Sequence, residues 1–496
     1  MKKHWLLIST LCLIKLIIHF AGNGHYGFHR DELLHLSAGD HLDWGYMEFP
    51  PFIAFVSRTA HILFDTNLWG IRLFPTLAGL AILILCCRMA EEMGGKKRSV
   101  LLAGICILAF LPFFRNHLLF QPVAFDQLFW TLGFYYLIRY INTQSHKYLL
   151  LLGVVAGLGM MNKYTMVIWI ACILAGLLFY QRSRLFKEKW LYIAGGIAFL
   201  IFLPNLIWQH QHDYPILKHV SKLGELEEAK LAPFAFGREQ LKLPFTLAVS
   251  LIGIYGMFAD AQLKQYRSIA IAVLLVFIAM WALHSKAYYF FAAYPVLFAA
   301  GAVKLEKIFI RKPVWNYVTV VILILPVLPF IPDAIPVLPI ETYVHYKHKE
   351  PEADGRIKLT SDYADMFGWE EQVKLVDSVY QALSPEERSR CFIWAENYGE
   401  AGAVQVLGRK YDLPYPVCSH GSFWLWGPPK TDESICISIG IEKDVMERTY
   451  KDFQLIRMVT HPYAIEEENN IPVYIARQPI RSLKAKWKEW GKYVFD

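Results

Sequence analysis

Charged residues are scarce in this chain. Of its 496 residues only 19% are Asp, Glu, Lys or Arg, while 55% are hydrophobic and the mean hydropathy is +0.30. Soluble globular domains hold about 25% charged residues, so the shortfall excludes an ordinary water-soluble enzyme and points to lipid. The net charge of +7 does not argue for nucleic acid, because Lys and Arg occur in short clusters between apolar runs instead of covering one soluble face. No nucleic acid is therefore expected among the partners, and the lipid bilayer is. Metal-ligand spacings of Cys and His are missing, as are internal repeats and low-complexity tracts. Cysteine is sparse: Cys12, Cys86, Cys87, Cys106 and Cys172 fall inside apolar stretches, which leaves Cys391, Cys418 and Cys436. Three thiols allow one bridge and a free thiol, or a fully reduced set.

What the chain has in abundance is apolar runs. A membrane helix needs roughly 20 mostly apolar residues, and on that measure the sequence predicts about eleven spans. They lie near 5–21, 70–90, 99–114, 124–141, 148–161, 164–181, 191–208, 244–259, 268–284, 287–303 and 314–332. The first resembles a signal peptide, yet no small-x-small cleavage site precedes the charged loop, so it reads as an uncleaved span. Cytoplasmic loops carry an excess of Lys and Arg. Lys2-Lys3, Lys96-Lys97-Arg98, Lys147, Arg182 with Arg184, Lys187 and Lys189, Lys264 with Arg267, and Lys304 to Lys312 fall in one set of alternate loops, which is thereby assigned to the cytoplasm. The opposite set holds residues 22–69, the Arg115 loop, the Asn162-Lys163 turn, residues 209–243, the His284-Ser285-Lys286 turn and everything past 333.

Pro326, Pro329, Pro332, Pro336 and Pro339 mark a change to the composition of a soluble domain. The predicted division is therefore a transmembrane catalytic domain over 1–332, with a first extracytoplasmic loop at 22–69, and an extracytoplasmic α/β domain over 333–496. In the latter, helices are expected at 370–387 and 402–411, and strands at Cys391–Ala395 and Ile435–Ile439. An odd number of spans places it outside, beside the first loop. The fold class is a polytopic α-helical protein of the inner (plasma) membrane with a C-terminal α/β domain.

Arg30-Asp31-Glu32 follows the first span in a loop of nearly fifty residues that also holds Asp40, Asp43 and Glu48. Such a loop is too long to be only a connection. Its segment Glu32 to Leu42 is expected to form a helix on the membrane surface. Adjacent carboxylates at that boundary could have a pKa raised towards that of a useful base; a solvated helix start, where acids favour the dipole, is the plainer reading. Asp126 opens an apolar helix on the same side, at a depth where charge is expensive and usually functional. Arg72, Lys163 and Lys286 sit on the outer side, where the positive-inside rule would exclude them. A buried anion fixed at headgroup depth, such as a lipid-linked phosphate, would explain all three; snorkelling from helix ends would explain Lys163 and Lys286 one at a time. Tyr164, Tyr288 and Tyr289 suit the interfacial aromatic belt. Asn397 to Gly402 follows a strand and opens a helix, a common structural turn that could also bind an anion.

These residues together resemble the family 39 glycosyltransferases of the GT-C superfamily, which includes protein O-mannosyltransferases and aminoarabinose transferases. The likeness runs through Arg30-Asp31-Glu32, His41 to Gly45 with Glu48 to Pro51, Arg72 to Pro75, Phe125-Asp126-Gln127, Asn162-Lys163-Tyr164, Pro204 to Gln209, and Lys286 to Tyr289 with Ala293 to Pro295. The resemblance implies a cavity lined by Asp31, Glu32 and Asp126, with Asp31 as the base. Arg30, Glu48, Arg72, Lys163, Lys286, Tyr288 and Tyr289 would bind substrate. It implies a polyisoprenyl-phosphate sugar as donor and a lipid, glycan or protein as acceptor, with inverting transfer by analogy to inverting hydrolysis. A divalent ion is a candidate cofactor. Phe49 stands where aminoarabinose transferases have a lysine, and Leu34-His35 where they have an Arg-Tyr pair, so sugar and acceptor do not carry over.

Many spans with intramembrane charge would also suit a transporter or lipid flippase. Those folds, however, show paired halves with broken helices at the midplane, whereas the acids here cluster at the outer boundary. A membrane sensor would leave Asp31 and Asp126 unexplained.

Overall fold

The computed structural model describes residues 4–181, 185–230 and 235–493; the expected cytoplasmic residues Lys2, Lys3, Arg182 and Arg184 lie outside them. Each of the eleven apolar stretches coincides with a helix. Trp5–Gly22, Leu68–Glu92, Lys189–Gln211, Leu263–Ala282, Ala287–Ile308 and Val314–Ala334 are long and apolar enough to cross a bilayer, and Ala235–Leu241 with Pro244–Ala259 forms a pair bent by 100°. The other stretches fall on Lys97–Ala109, Pro122–Thr143, His146–Asn162 and Thr165–Gln181. Proline at Pro112, Pro122, Pro244 and Pro295 opens helices, where its missing N–H leaves no bond unmade.

Lipid gives the helices no hydrophobic reason to associate, so they meet through small residues. A Cβ on Gly153 would stand 2.4 Å from the Ala194 carbonyl oxygen, and one on Gly301 2.1 Å from that of Val249. Those glycines let backbone touch backbone.

Past residue 333 the chain builds a five-stranded mixed sheet, from β1 (Cys391–Ala395), β2 (Val417–Cys418), β3 (Ile435–Ile439), β4 (Tyr450–Val459) and β5 (Ile471–Pro479). The order is β2-β1-β3-β5-β4. β1 runs parallel to β2 and β3, and β5 runs antiparallel to β3 and β4. The parallel centre is buried on both faces, which is why β1 and β3 read as continuous apolar runs. Cys391, Cys418 and Cys436 are buried there as free thiols. The expected helix over 370–387 divides: Trp369–Gln381 ends, and Ser384 caps a new helix, Pro385–Arg390, with a reciprocal bond to Glu387.

The first loop differs from its expected form. Its helix is Arg30–Ala38, and eight of its nine residues are buried instead of lying on an open membrane surface. The cover is Tyr398–Leu407, the helix after β1. A Cβ on Gly402 would come within 2.8 Å of the Leu33 side chain, so glycine is what permits this contact.

Candidate active site

The packing of Arg30–Ala38 against Tyr398–Leu407 roofs a cavity of about 520 Å3, walled by the first loop, the Asn162–Thr165 turn and the His284–Tyr289 turn. That volume lies in the usual range for small ligands, about 300–1,000 Å3. Asp31, Glu48, Lys163, Lys286, Tyr288 and Tyr289 all line it. Acid and cation thus meet across one space, as the topology of the loops suggested.

Asp31 is held at both oxygens. The Gln121 amide donates to Oδ2 at 2.9 Å, and the Tyr398 hydroxyl donates to Oδ1 at 3.1 Å. Arg115 donates to Gln121 Oε1 at 3.3 Å and forms a two-pronged pair with Asp362 at 2.7 and 3.0 Å. A relay of hydrogen bonds therefore fixes the carboxylate from behind. Burial pushes the Asp31 carboxyl up, but neighbouring His29 and Arg115 and the Tyr398 hydroxyl outweigh it and hold it below its usual value. It is ionised at neutral pH, ready to accept a proton. His35, on the same wall, is pushed by burial down to about 4 and stays neutral.

Glu48 has the opposite balance. Burial pushes its carboxyl up, although the Ser422 hydroxyl and backbone N–H both donate to it. On the facing wall the Lys163 ammonium stands 3.9 Å from the centre of the Tyr289 ring and 5.2 Å from that of Tyr288. A cation over aromatic faces is oriented without being neutralised, so its charge remains available to an anion.

Four of the expected residues do not line the cavity. Glu32 points the other way, into a fully buried pair with Arg72, whose Nε and Nη2 donate to its two oxygens at 3.1 and 2.8 Å. The backbone N–H groups of His29 and Phe120 complete its shell. Arg72 also donates to the carbonyls of Asn23, His25 and Gly27, so it staples the loop and is not free to meet a substrate. Successive helix residues point about 100° apart, which is how neighbours Asp31 and Glu32 face different surroundings. Arg30 turns to Asp365, donating at 2.8 Å. Asp126 lies one layer back, where Thr165 donates to both of its oxygens at 3.0 Å, and it interacts electrostatically with Lys163.

Asn397 caps its own helix, accepting from the N–H groups of Gly399 and Glu400, so that turn is structural. The residues that the sequence did not reveal are its neighbour Tyr398 and Gln121, both donors to Asp31. Among the described residues no three His, Cys, Asp or Glu side chains form a set that could hold a metal ion, so the candidate divalent ion has no cradle there.

Known proteins match this picture. Residues 48–208 fit the family model for dolichyl-phosphate-mannose-protein mannosyltransferases. Over 215 residues the chain is 25% identical to the lipid A galacturonosyltransferase RgtD of Rhizobium johnstonii, a match that covers 40% of this chain and 42% of that relative. The likeness thus spans about two fifths of the relative's length. Crystal structures of ArnT from Cupriavidus metallidurans superpose with TM-scores of 0.58 in the apo state and 0.62 with undecaprenyl phosphate bound, covering 95% and 96% of this chain and 97% and 98% of theirs. At 13% and 12% identity that likeness is one of fold. Fold and apolar helices define a polytopic membrane protein with the fold of ArnT. In sequence, the chain is similar over part of its length to the mannosyltransferase family and the galacturonosyltransferase named above.

Proposed function

We propose that the protein transfers a sugar, with inversion, from a polyisoprenyl-phosphate donor to a lipid, glycan or protein acceptor at the extracytoplasmic face of the inner membrane. The observation that carries this reading is the placing of ionised, doubly hydrogen-bonded Asp31 in one cavity with Lys163 and Lys286. Asp31 takes the proton of an acceptor hydroxyl as its oxygen bonds to the anomeric carbon. The bond from that carbon to the phosphate oxygen breaks, and its electron pair leaves with the phosphate. Negative charge grows on that oxygen, and the two lysines stabilise it.

Eleven crossings fit this assignment, with the C-terminal domain outside. Arg72, Glu32 and Asp126 act in it as supports behind the cavity wall. A transporter or flippase is not favoured, since the matched relatives are sugar transferases. In membranes supplied with polyisoprenyl-phosphate sugars, Asp31→Asn is expected to abolish transfer while the protein inserts normally. Full activity in that variant would overturn the assignment.

A further inference from the structure

Beside the first cavity lies a second, of about 270 Å3, bounded by His41, Asp43, Tyr46, Trp208, His212 and Trp426 among others. We propose that it binds a sugar ring of the acceptor, an assignment that rests on the transferase reading above.

The wall excludes other ligand classes. Neither Lys nor Arg lines it and a carboxylate does, so it does not suit a phosphate or another anion. One carboxylate with imidazoles is too few hard oxygen donors for Ca2+ or Mg2+. Two imidazoles, a carboxylate and a phenol are too polar for an acyl chain, and the volume is too small for a polymer. What remains is a compact neutral ligand with apolar faces and a rim of hydroxyls, which is the chemistry of a sugar ring.

Two stacked pairs supply flat aromatic surface. The rings of His41 and Trp426 lie 4.1 Å apart at 11°, and those of Trp208 and His212 lie 4.0 Å apart at 19°. Rigid aromatic walls with a few placed polar groups are how small-ligand sites set orientation. Trp208 is 5% exposed, so its ring is held rigidly in that wall.

Position supports an acceptor ring rather than a donor ring. Ser422 lines the second cavity and donates to Glu48, which lines the first. One thin wall therefore separates them, and the lysines expected to meet the donor phosphate stand on the first cavity's side alone. Leu42, Trp44 and Phe55 are exposed close by, as in an interfacial belt. A sugar carried on a membrane lipid would sit at this height.

The full-length protein in nanodiscs, without sugar-based detergent, would be titrated with chitobiose, lactose and cellobiose while tryptophan fluorescence is followed. At least one disaccharide should bind saturably. Trp426→Ala and the exposed-site variant Asp43→Asn should weaken it at least tenfold, while Asp31→Asn leaves it unchanged. No saturable binding, or wild-type binding in Asp43→Asn and Trp426→Ala, would overturn the proposal. Displacement by undecaprenyl-phosphate mannose would overturn the acceptor assignment. Because the readout is binding, it stands or falls separately from the loss of transfer in Asp31→Asn.

Discussion

The cavity wall and the layer behind it use the same residue types for opposite ends. On the wall, Asp31 is fixed by two neutral donors, Gln121 and Tyr398, and cations stand across open space. Behind it, Glu32 is closed off by Arg72, with both side chains fully buried and every oxygen taken. A charge whose partner is already in place holds the fold. One whose direct hydrogen-bond donors are neutral and which faces a cavity is placed to meet a ligand. The difference teaches that a buried ion pair and a carboxylate that lines a cavity are told apart by what donates to their oxygens, not by burial.

The largest expected effect on chemistry belongs to the wall. Removing a general base usually lowers rate by about 10²–10⁴-fold, so Asp31→Asn should lose transfer to that extent with an unchanged melting temperature. Glu32→Gln should do the reverse. Breaking one side of a buried ion pair costs about 3–5 kcal/mol, seen as a lower melting temperature and less folded protein. Each folded molecule should still transfer sugar within a few fold of wild type. Loss of transfer in Glu32→Gln at unchanged stability would reverse the two roles.

Lys163→Ala and Lys286→Ala should fall between these. A hydrogen bond to a charged group contributes about 1.5–3 kcal/mol, so each should lower kcat/KM by roughly 10–100-fold. If the lysines act on the leaving phosphate, the loss appears with short-chain as well as long-chain donors. A loss confined to long-chain donors would make them lipid contacts only.

Much of this wall was legible in the sequence because span ends are legible. Lys163, Lys286 and Tyr288 each sit where an apolar run stops, Asp31 lies in the loop that follows one, and the positive-inside rule says which ends face the same way. Which side of a helix faces the cavity was not legible, because Glu32 and Arg72 carry the same signal as Asp31 and Lys163. Nor were Gln121 and Tyr398, which reach Asp31 from 90 and 367 residues away. β1 and β3 announced themselves as apolar runs. β4, an edge strand with eight of ten residues at least partly exposed, and β5, which begins and ends beside Pro472 and Pro479, did not.

Tyr398 gives the smallest and most discriminating test. It comes from the far end of the chain, yet its hydroxyl is one of the groups that keep the Asp31 carboxyl below its usual value. Tyr398→Phe removes that hydrogen bond and keeps the ring that packs against the first loop. The Asp31 carboxyl should then move up, towards its ordinary range. The base must be ionised to work, so transfer falls as pH drops through that value. In the variant the fall should begin at a higher pH. Above neutral pH, where Asp31 is ionised in both proteins, the rates should differ only several-fold. A purely structural tyrosine would lower the rate by one factor at every pH, and an unmoved acid limb would give it that role.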